Sequence, residues 1–572
     1  MAKVISVEPP KRQFLPENFK LKQWADISPF FEELLNARIE TEAELLQWLA
    51  KRNELESFIS EDYAWRYIEH SRDTNNASKQ KHYLYFVENI SPKISPISDQ
   101  LDRKLVEHPK AAKIKQEHPI YLREVENSIA LFREANIPLL TESQSLAQKY
   151  GEISGNMTIE MEGKEITLQQ AAKYLEDTNR AIRKEVYEKV NERRLEDQEK
   201  LDELFNRLIE IRHQMAKNAD FENYRDFKFK DLGRFDYGVK EVENFHDSIA
   251  KVCTPLIEQR LKTRQEKLGL EALKPYDLSV DEEGKKALCP FQSVEELLQK
   301  TMTCFEKVDP QFGNFIATMD KMGHLDLASR KGKAPGGYNY PLMESGIPFI
   351  FMNATQNMRD LTTMLHEGGH AVHAFLTRDL PLAAEKNSTS EVAELASMSM
   401  ELLSMDYWDL FFENEDDLKR AKREQLNGII DTLPWVATIS KFQHWLYTHP
   451  EHSAAERRTA WLNIHDAFSG DGIQWSGYEN FKSNLWQKQL HLFEVPFYYI
   501  EYGIAQLGAV AIWKNFKANP KKTLEQYKNA LSLGYTKSVP EIYEAAGIHF
   551  DFSENYIQTL MDFVAQELEQ YN

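Results

Sequence analysis

The chain has 572 residues, 42% of them hydrophobic and 28% charged, which is ordinary for a soluble protein with one large core or two moderate ones. Ninety acidic residues against seventy Lys and Arg leave a net charge of −20, which argues against nucleic-acid and anionic-membrane partners and favours basic or neutral ligands. Cys253, Cys289 and Cys304 are not in C-x-x-C spacing, and no apolar run reaches the roughly 18 residues of a membrane span or resembles a signal segment, so disulfides and cysteine metal sites are not indicated and a cytoplasmic home is expected.

Along the chain helical periodicity dominates. Residues 30–58, 64–83 and 101–136 read as successive amphipathic helices, with a break near Ile94-Ser95-Pro96. Residues 156–168 alternate apolar and polar around Glu162-Gly163 and predict a hairpin. A boundary shortly after it divides an N-terminal helical part, residues 1–180, from a second part, residues 181–572. That second part opens with long helices in which acids and bases mix over residues 185–212, the pattern of a solvated helix face. Lys331-Gly332-Lys333-Ala334-Pro335-Gly336-Gly337 lacks the Gly-Lys-Ser/Thr ending of a phosphate cradle. It leads into Ile347-Pro348-Phe349-Ile350-Phe351-Met352, which reads as a strand whose proline implies a sheet edge, and an exposed edge can pair with an extended peptide.

Asn357 followed by Asp360 then predicts a capped helix start, and Leu361, Met364, Leu365, Val372 and Phe375 fall on one side of that helix. On it lies His366-Glu367-Gly368-Gly369-His370. Residues four apart stack on one helix face, so His366 and His370 can reach one zinc ion, with Glu367 beside them as general base. Gly368 and Gly369 weaken the helix, which implies that something approaches its surface closely, either substrate or a packed neighbour. His373 lies seven residues from His366, about 10 Å along the axis, too far to share the ion. Leu376 stands where an H-E-x-x-H-x-x-G-x-x-H site needs its third histidine, which leaves a distant carboxylate: Glu385, Glu391, Glu394 or Glu401. Ser388-Thr389-Ser390-Glu391 reads as a capping box that occupies Glu391 at a helix start. Glu394 is left one turn inside among apolar neighbours, where it can bind the metal or be a solvated helix carboxylate, and Glu401 can brace a ligand histidine.

The run from His366 to His373, with Val392-Ala393-Glu394-Leu395-Ala396-Ser397, resembles the zinc site of the thimet oligopeptidase and oligoendopeptidase F family. The resemblance implies that His366, His370 and Glu394 bind one zinc per chain and that Glu367 activates water. His491-Leu492-Phe493-Glu494-Val495-Pro496-Phe497-Tyr498-Tyr499-Ile500-Glu501-Tyr502-Gly503 resembles the family segment whose histidine and tyrosines contact the peptide and the tetrahedral intermediate. Pro496 fits the first turn of a helix, which would set Tyr498 and Tyr502 on one face, and phenols near zinc can donate to a developing oxyanion. The segment around Gly336 and Gly337 resembles the one beside that family's substrate cleft.

The reading is thus a mainly α, zincin-like metallopeptidase with a small β-sheet beside the zinc helix and, as the resemblance implies, two helical parts enclosing a deep channel. Its expected activity is zinc-dependent hydrolysis of internal bonds in short unfolded oligopeptides. Glu367, Tyr498, Tyr502 and His491 are the expected catalytic residues. The alternatives are a dipeptide-releasing exopeptidase of the same family, for which no carboxylate-gripping cation is identified, and an inactive peptide-binding protein.

Overall fold

The structure is a computed structural model, and residues 2–7, 10–334 and 336–571 are described, so Pro335 of the glycine segment lies outside the described residues. The linear division at residue 180 runs along the chain, whereas by proximity the residues group into two interleaved units. The first comprises Met1–Phe132, Cys289–Lys422 and Ala505–Phe550; the second comprises Arg133–Leu288, Arg423–Ile504 and Asp551–Asn572.

In the first unit, the N-terminal helices Trp24–Asn36, Glu42–Arg72, Ser91–Val106 and Pro119–Leu131 bury Phe31, Leu45, Trp48, Leu101, Leu105 and Leu122 in one core. The break between the first two falls at residues 37–41, inside the expected 30–58 helix, because Thr41 and Glu44 close a capping box that starts a new helix there. Conversely, the expected break at residues 94–96 lies within the helix Ser91–Val106. One backbone bond lost at Pro96 does not end a helix whose later turns bury Leu101 and Leu105.

Among the described residues the strands form a hairpin, β1 (Thr158–Met161) with β2 (Lys164–Thr167), and a three-stranded sheet of β3 (Leu325–Ala328), β4 (Tyr338–Tyr340) and β5 (Phe349–Ala354). The hairpin turns at Glu162 and Gly163, both at positive φ (52° and 73°), as the sequence predicts. In the sheet the order is β3-β5-β4, with β3 parallel and β4 antiparallel to β5. This corrects the expectation that residues 349–353 form an edge: Pro348 precedes β5 instead of sitting in it, so its missing N–H costs no ladder bond and β5 is central. β4 is the edge on that side. The buried Lys333 ammonium donates to Asp326 O (2.8 Å), Asp326 Oδ1 (2.9 Å), Ala328 O (3.0 Å) and Met352 O, and so ties the glycine segment to β3 and β5.

The second unit has its own aromatic core. Phe205, on the helix Gln198–Asn218, packs on Trp486 and Phe493, and Trp461 packs on Phe442. The helices Val239–Lys267 and Glu554–Glu569 cover Phe245, Ile249, Ile557 and Leu560. Among the described residues no helix is long and apolar enough to cross a membrane.

Candidate metal centre

The motif lies on the helix Met358–Thr377 of the first unit, and the expected cap is present. Asn357 Oδ1 accepts from the Asp360 N–H (2.9 Å) and Asp360 Oδ2 accepts from the Asn357 N–H (3.2 Å). The two glycines face packed neighbours. A Cβ on Gly369 would stand 2.6 Å from Ser397 Cα and 2.8 Å from the Ala396 carbonyl oxygen, both backbone of the helix Ser390–Ser404. A Cβ on Gly368 would stand 2.5 Å from the Phe305 ring. Gly369 therefore lets two helix backbones approach closely, and that approach delivers Glu394 to the histidines.

Glu394 Oε2 lies 3.2 Å from His366 Nε2 and 3.8 Å from His370 Nε2. Three donors bound to one ion at about 2 Å in tetrahedral directions stand roughly 3.3 Å apart, so the spacing fits a zinc ion. Among the described residues this is the group of three His, Cys, Asp or Glu with ligand atoms mutually within 4.8 Å. Glu401 Oε1 lies 2.7 Å from His366 Nδ1, which orients that ring with Nε2 toward the group, as the sequence suggests for Glu401. Ser397 Oγ donates to Glu394 Oε2 (3.1 Å), the same oxygen that faces the histidines, a partner sequence reasoning missed although it lies three residues on.

The remaining candidates are engaged elsewhere. Glu385 Oε1 pairs with His118 Nδ1 at 2.6 Å. Glu391 is buried but does not close the expected capping box: the cap is Thr389, and Ser388 Oγ instead lies 3.2 Å from His373 Nε2. His373 is accordingly a buried structural histidine, its pKa pushed down to about 3 by burial.

Burial also sets the charges at the site. It pushes the Glu367 carboxyl up to about 7, against the opposing pull of His366. His370 is pushed down to about 4 by burial. At His366 burial acts downward too, but the Glu394 and Glu401 carboxylates outweigh it and raise the pKa well above the usual value. Two carboxylates, Glu394 and Glu401, face the one imidazole of His366, a net acidic setting suited to a positive ion. Asn339 Nδ2, on β4, donates to the Glu367 carbonyl (3.1 Å) and fixes that strand beside the motif helix.

His491 and the tyrosines belong to the second unit. The expected helix start at Pro496 is not what forms: a short helix Leu490–Glu494 ends, Phe497 takes a left-handed φ of 67°, and the next helix, Ile500–Ala518, begins after Tyr498 and Tyr499. The rings still gather. Tyr498 and Tyr502 lie 5.4 Å apart edge to face, with His491 5.8 Å from Tyr502, 6.2 Å from Tyr498 and 4.7 Å from Tyr499. Trp435 Nε1 donates to Gln489 Oε1 (3.1 Å), which turns the Gln489 amide nitrogen onto His491 Nδ1 (2.8 Å). Neither Gln489 nor Trp435 carries a motif signal.

Residues 173–562 match peptidase family M3, and residues 14–132 match the peptidase M3 N-terminal domain. An oligoendopeptidase F homolog of Mycoplasma genitalium is 24% identical over 399 residues, 65% of this chain and 63% of that protein. Oligopeptidase PepF of Bacillus subtilis is 22% identical over 324 residues, 54% of this chain and 46% of that protein. The chain thus spans about half to two thirds of the length of these curated relatives. The structure of PZ peptidase A with an inhibitor superposes with a TM-score of 0.90 at 25% identity, over 97% of this chain and 98% of that one. With the family match covering residues 173–562, well over half of the sequence, the chain belongs to peptidase family M3.

Proposed function

We propose that this chain is a zinc-dependent endopeptidase that hydrolyses internal bonds of short, unfolded oligopeptides, with one zinc per chain held by His366, His370 and Glu394. The observation that carries the reading is the convergence of those three donors beside a buried Glu367. A zinc ion held there would supply Lewis-acid polarisation of the scissile carbonyl and acidify water. Glu367, buried beside the three donors, takes the proton of the attacking water and delivers it to the departing amine. Glu401 and Ser397 keep His366 and Glu394 in register. The edge strand β4, tied to the motif through Asn339, offers backbone groups to an extended peptide. Tyr498, Tyr502 and His491 are assigned, on the family resemblance and their ring cluster, to the oxyanion of the attacked carbonyl.

The test incubates the purified chain with peptides of mixed length, with and without chelator, and reads the products by mass spectrometry. Internal cleavage of peptides on the order of 5–20 residues, abolished by chelator and restored by zinc, is expected, because an extended segment must be presented without the cost of unfolding a stable domain. Release of terminal dipeptides alone would assign an exopeptidase, and chelator-insensitive or absent cleavage would remove the zinc-peptidase reading.

A further inference from the structure

The segment carrying His491 and the tyrosines is gripped by its backbone from the core of the second unit, and the grip is made of ordinary side chains in no catalytic motif. Arg212, on the helix Gln198–Asn218, is buried; its guanidinium donates to the carbonyls of Leu492 (3.0 Å) and Phe493 and to Tyr447 Oη (2.7 Å). Arg234, also buried, donates to the Phe497 carbonyl and to Glu501 Oε1 (2.9 Å). Gln443, on the helix Glu415–Thr448, accepts the Phe497 N–H on its Oε1. Both backbone polar groups of Phe497 are thereby taken by core side chains, and its ring is locked among Phe229 (5.6 Å), His444 (5.6 Å) and Tyr447 (5.3 Å).

Phe497 is the residue with φ of 67°. An aromatic side chain in the left-handed region is a true outlier, and such a conformation persists only where the surroundings over-determine it. Here the surroundings are identified: one acceptor, one donor and three rings. The consequence falls on the next residue. Had Phe497 relaxed to right-handed or extended backbone, the direction of the chain at Tyr498 would change, and with it the meeting of Tyr498 with Tyr502 across the start of the helix Ile500–Ala518. Strained backbone of this kind clusters where a neighbouring side chain must be aimed.

We propose that Gln443 and Arg234 are positioning residues that hold Phe497 in its left-handed conformation and so aim Tyr498 and Tyr502, while Arg212 fixes the His491 end of the same segment. The proposal rests on the assignment of those tyrosines to the oxyanion, and its test separates the two. Gln443→Met removes the acceptor at similar volume; Gln443→Glu keeps it. The full zinc-loaded chain is compared as wild type, as Gln443→Met, as Gln443→Glu, as Tyr498→Phe/Tyr502→Phe, and as that double variant carrying Gln443→Met. Amide exchange over residues 490–502 is read beside peptide turnover.

Gln443→Met should speed exchange across residues 490–502 at least tenfold and lower kcat about tenfold with KM within twofold of wild type, and Gln443→Glu should recover most of both. In the tyrosine-less background the same substitution should change kcat less than twofold, because its effect passes through the phenols. Unchanged exchange in Gln443→Met overturns the grip itself, whatever the tyrosines do. Faster exchange with a kcat loss that persists undiminished without the phenols overturns the aiming role. Full turnover by the Tyr498→Phe/Tyr502→Phe protein overturns the oxyanion assignment and the aiming role with it, while the exchange data still decide whether Gln443 holds the segment.

Discussion

Gly369→Ala adds one methyl group at the contact between the two helices that carry His366, His370 and Glu394. The new carbon would meet Ser397 Cα at 2.6 Å, the Ala396 carbonyl oxygen at 2.8 Å and Met400 Cβ at 2.9 Å, where ordinary contacts need about 3.5–4.0 Å. The shortfall is about 1 Å, and two of the three atoms are backbone, so no rotamer change relieves it. The helices Met358–Thr377 and Ser390–Ser404 must part by about that distance, at an overpacking cost of roughly 1–3 kcal/mol. Alanine would strengthen an isolated helix by about 1 kcal/mol over glycine, so the contact works against propensity. A 1 Å shift of Glu394 is several times the roughly 0.2 Å tolerance of a zinc bond, and zinc affinity should fall about 10–100-fold or more. Gly368→Ala serves as the comparison, since its methyl would meet the buried Phe305 ring instead of the helix that carries Glu394, so overpacking there should lower the melting temperature with less effect on zinc affinity. Competition against a chromogenic chelator, read with the melting temperature, measures both. A Gly369→Ala protein with zinc affinity and melting temperature equal to wild type would refute the reasoning that this glycine sets the approach of Glu394.

The same chelator competition applied to Glu394→Ala should show most of the zinc lost, whereas Glu367→Gln should keep the metal and lose turnover; normal turnover in Glu367→Gln would remove its general-base role. Tyr498→Phe and Tyr502→Phe should each lower kcat roughly ten- to a thousandfold, or about 1.4–4 kcal/mol, with little change in KM, and unchanged kcat in both would leave the phenols as packing groups. Acid should destabilise the second unit through His246 and His444, whose rings stand 5.3 Å apart. Burial and Lys441 push His246 down to about 3, and burial, His246, Arg225, Arg234 and Lys441 lower His444. Because the folded pKa values are depressed, this stability is complete above the unfolded value of about 6.5 and is lost as pH falls, at up to about 1.4 kcal/mol per pH unit per histidine. Urea unfolding between pH 7 and pH 5 should show a shallower slope for His246→Phe, and identical slopes would rule the pair out as the acid-sensitive element.

The grouping of His366, His370 and Glu394 was legible because helical spacing places His366 and His370 by itself, and because Glu394 is a carboxylate among apolar neighbours one turn into a helix. The mainly α character, the motif helix with its Asn357 cap and the hairpin at Glu162-Gly163 follow from local chemistry in the same way. What was not legible depends on contacts distant in sequence. Ser388 looks like a cap until His373, fifteen residues earlier, takes its hydroxyl. Pro348 implies an edge until β3 and β4 both pair with β5. Pro496 suits a helix start, but Gln443 and Arg234 hold the next residue in a conformation no helix contains. The gathering of Tyr498 and Tyr502 was anticipated, although the reason offered for it, a shared helix face, is not the one that operates.

The interleaving of the two units has a consequence for how the chain is made. The first unit draws its last segment from Ala505–Phe550 and the second from Asp551–Asn572, so neither can be completed until these late segments have left the ribosome. At about 5–20 residues per second, roughly 25–110 s pass between the first helices and the last. The N-terminal helices can collapse early, since their core draws almost entirely on residues 15–125, with Leu382 joining later. Ala64 and Ile68 of the helix Glu42–Arg72 must wait for their partners Leu342, Phe349 and Phe351. At the same rate roughly 14–57 s pass before residues 342–351 follow, and until then Ala64 and Ile68 lack the apolar partners that bury them.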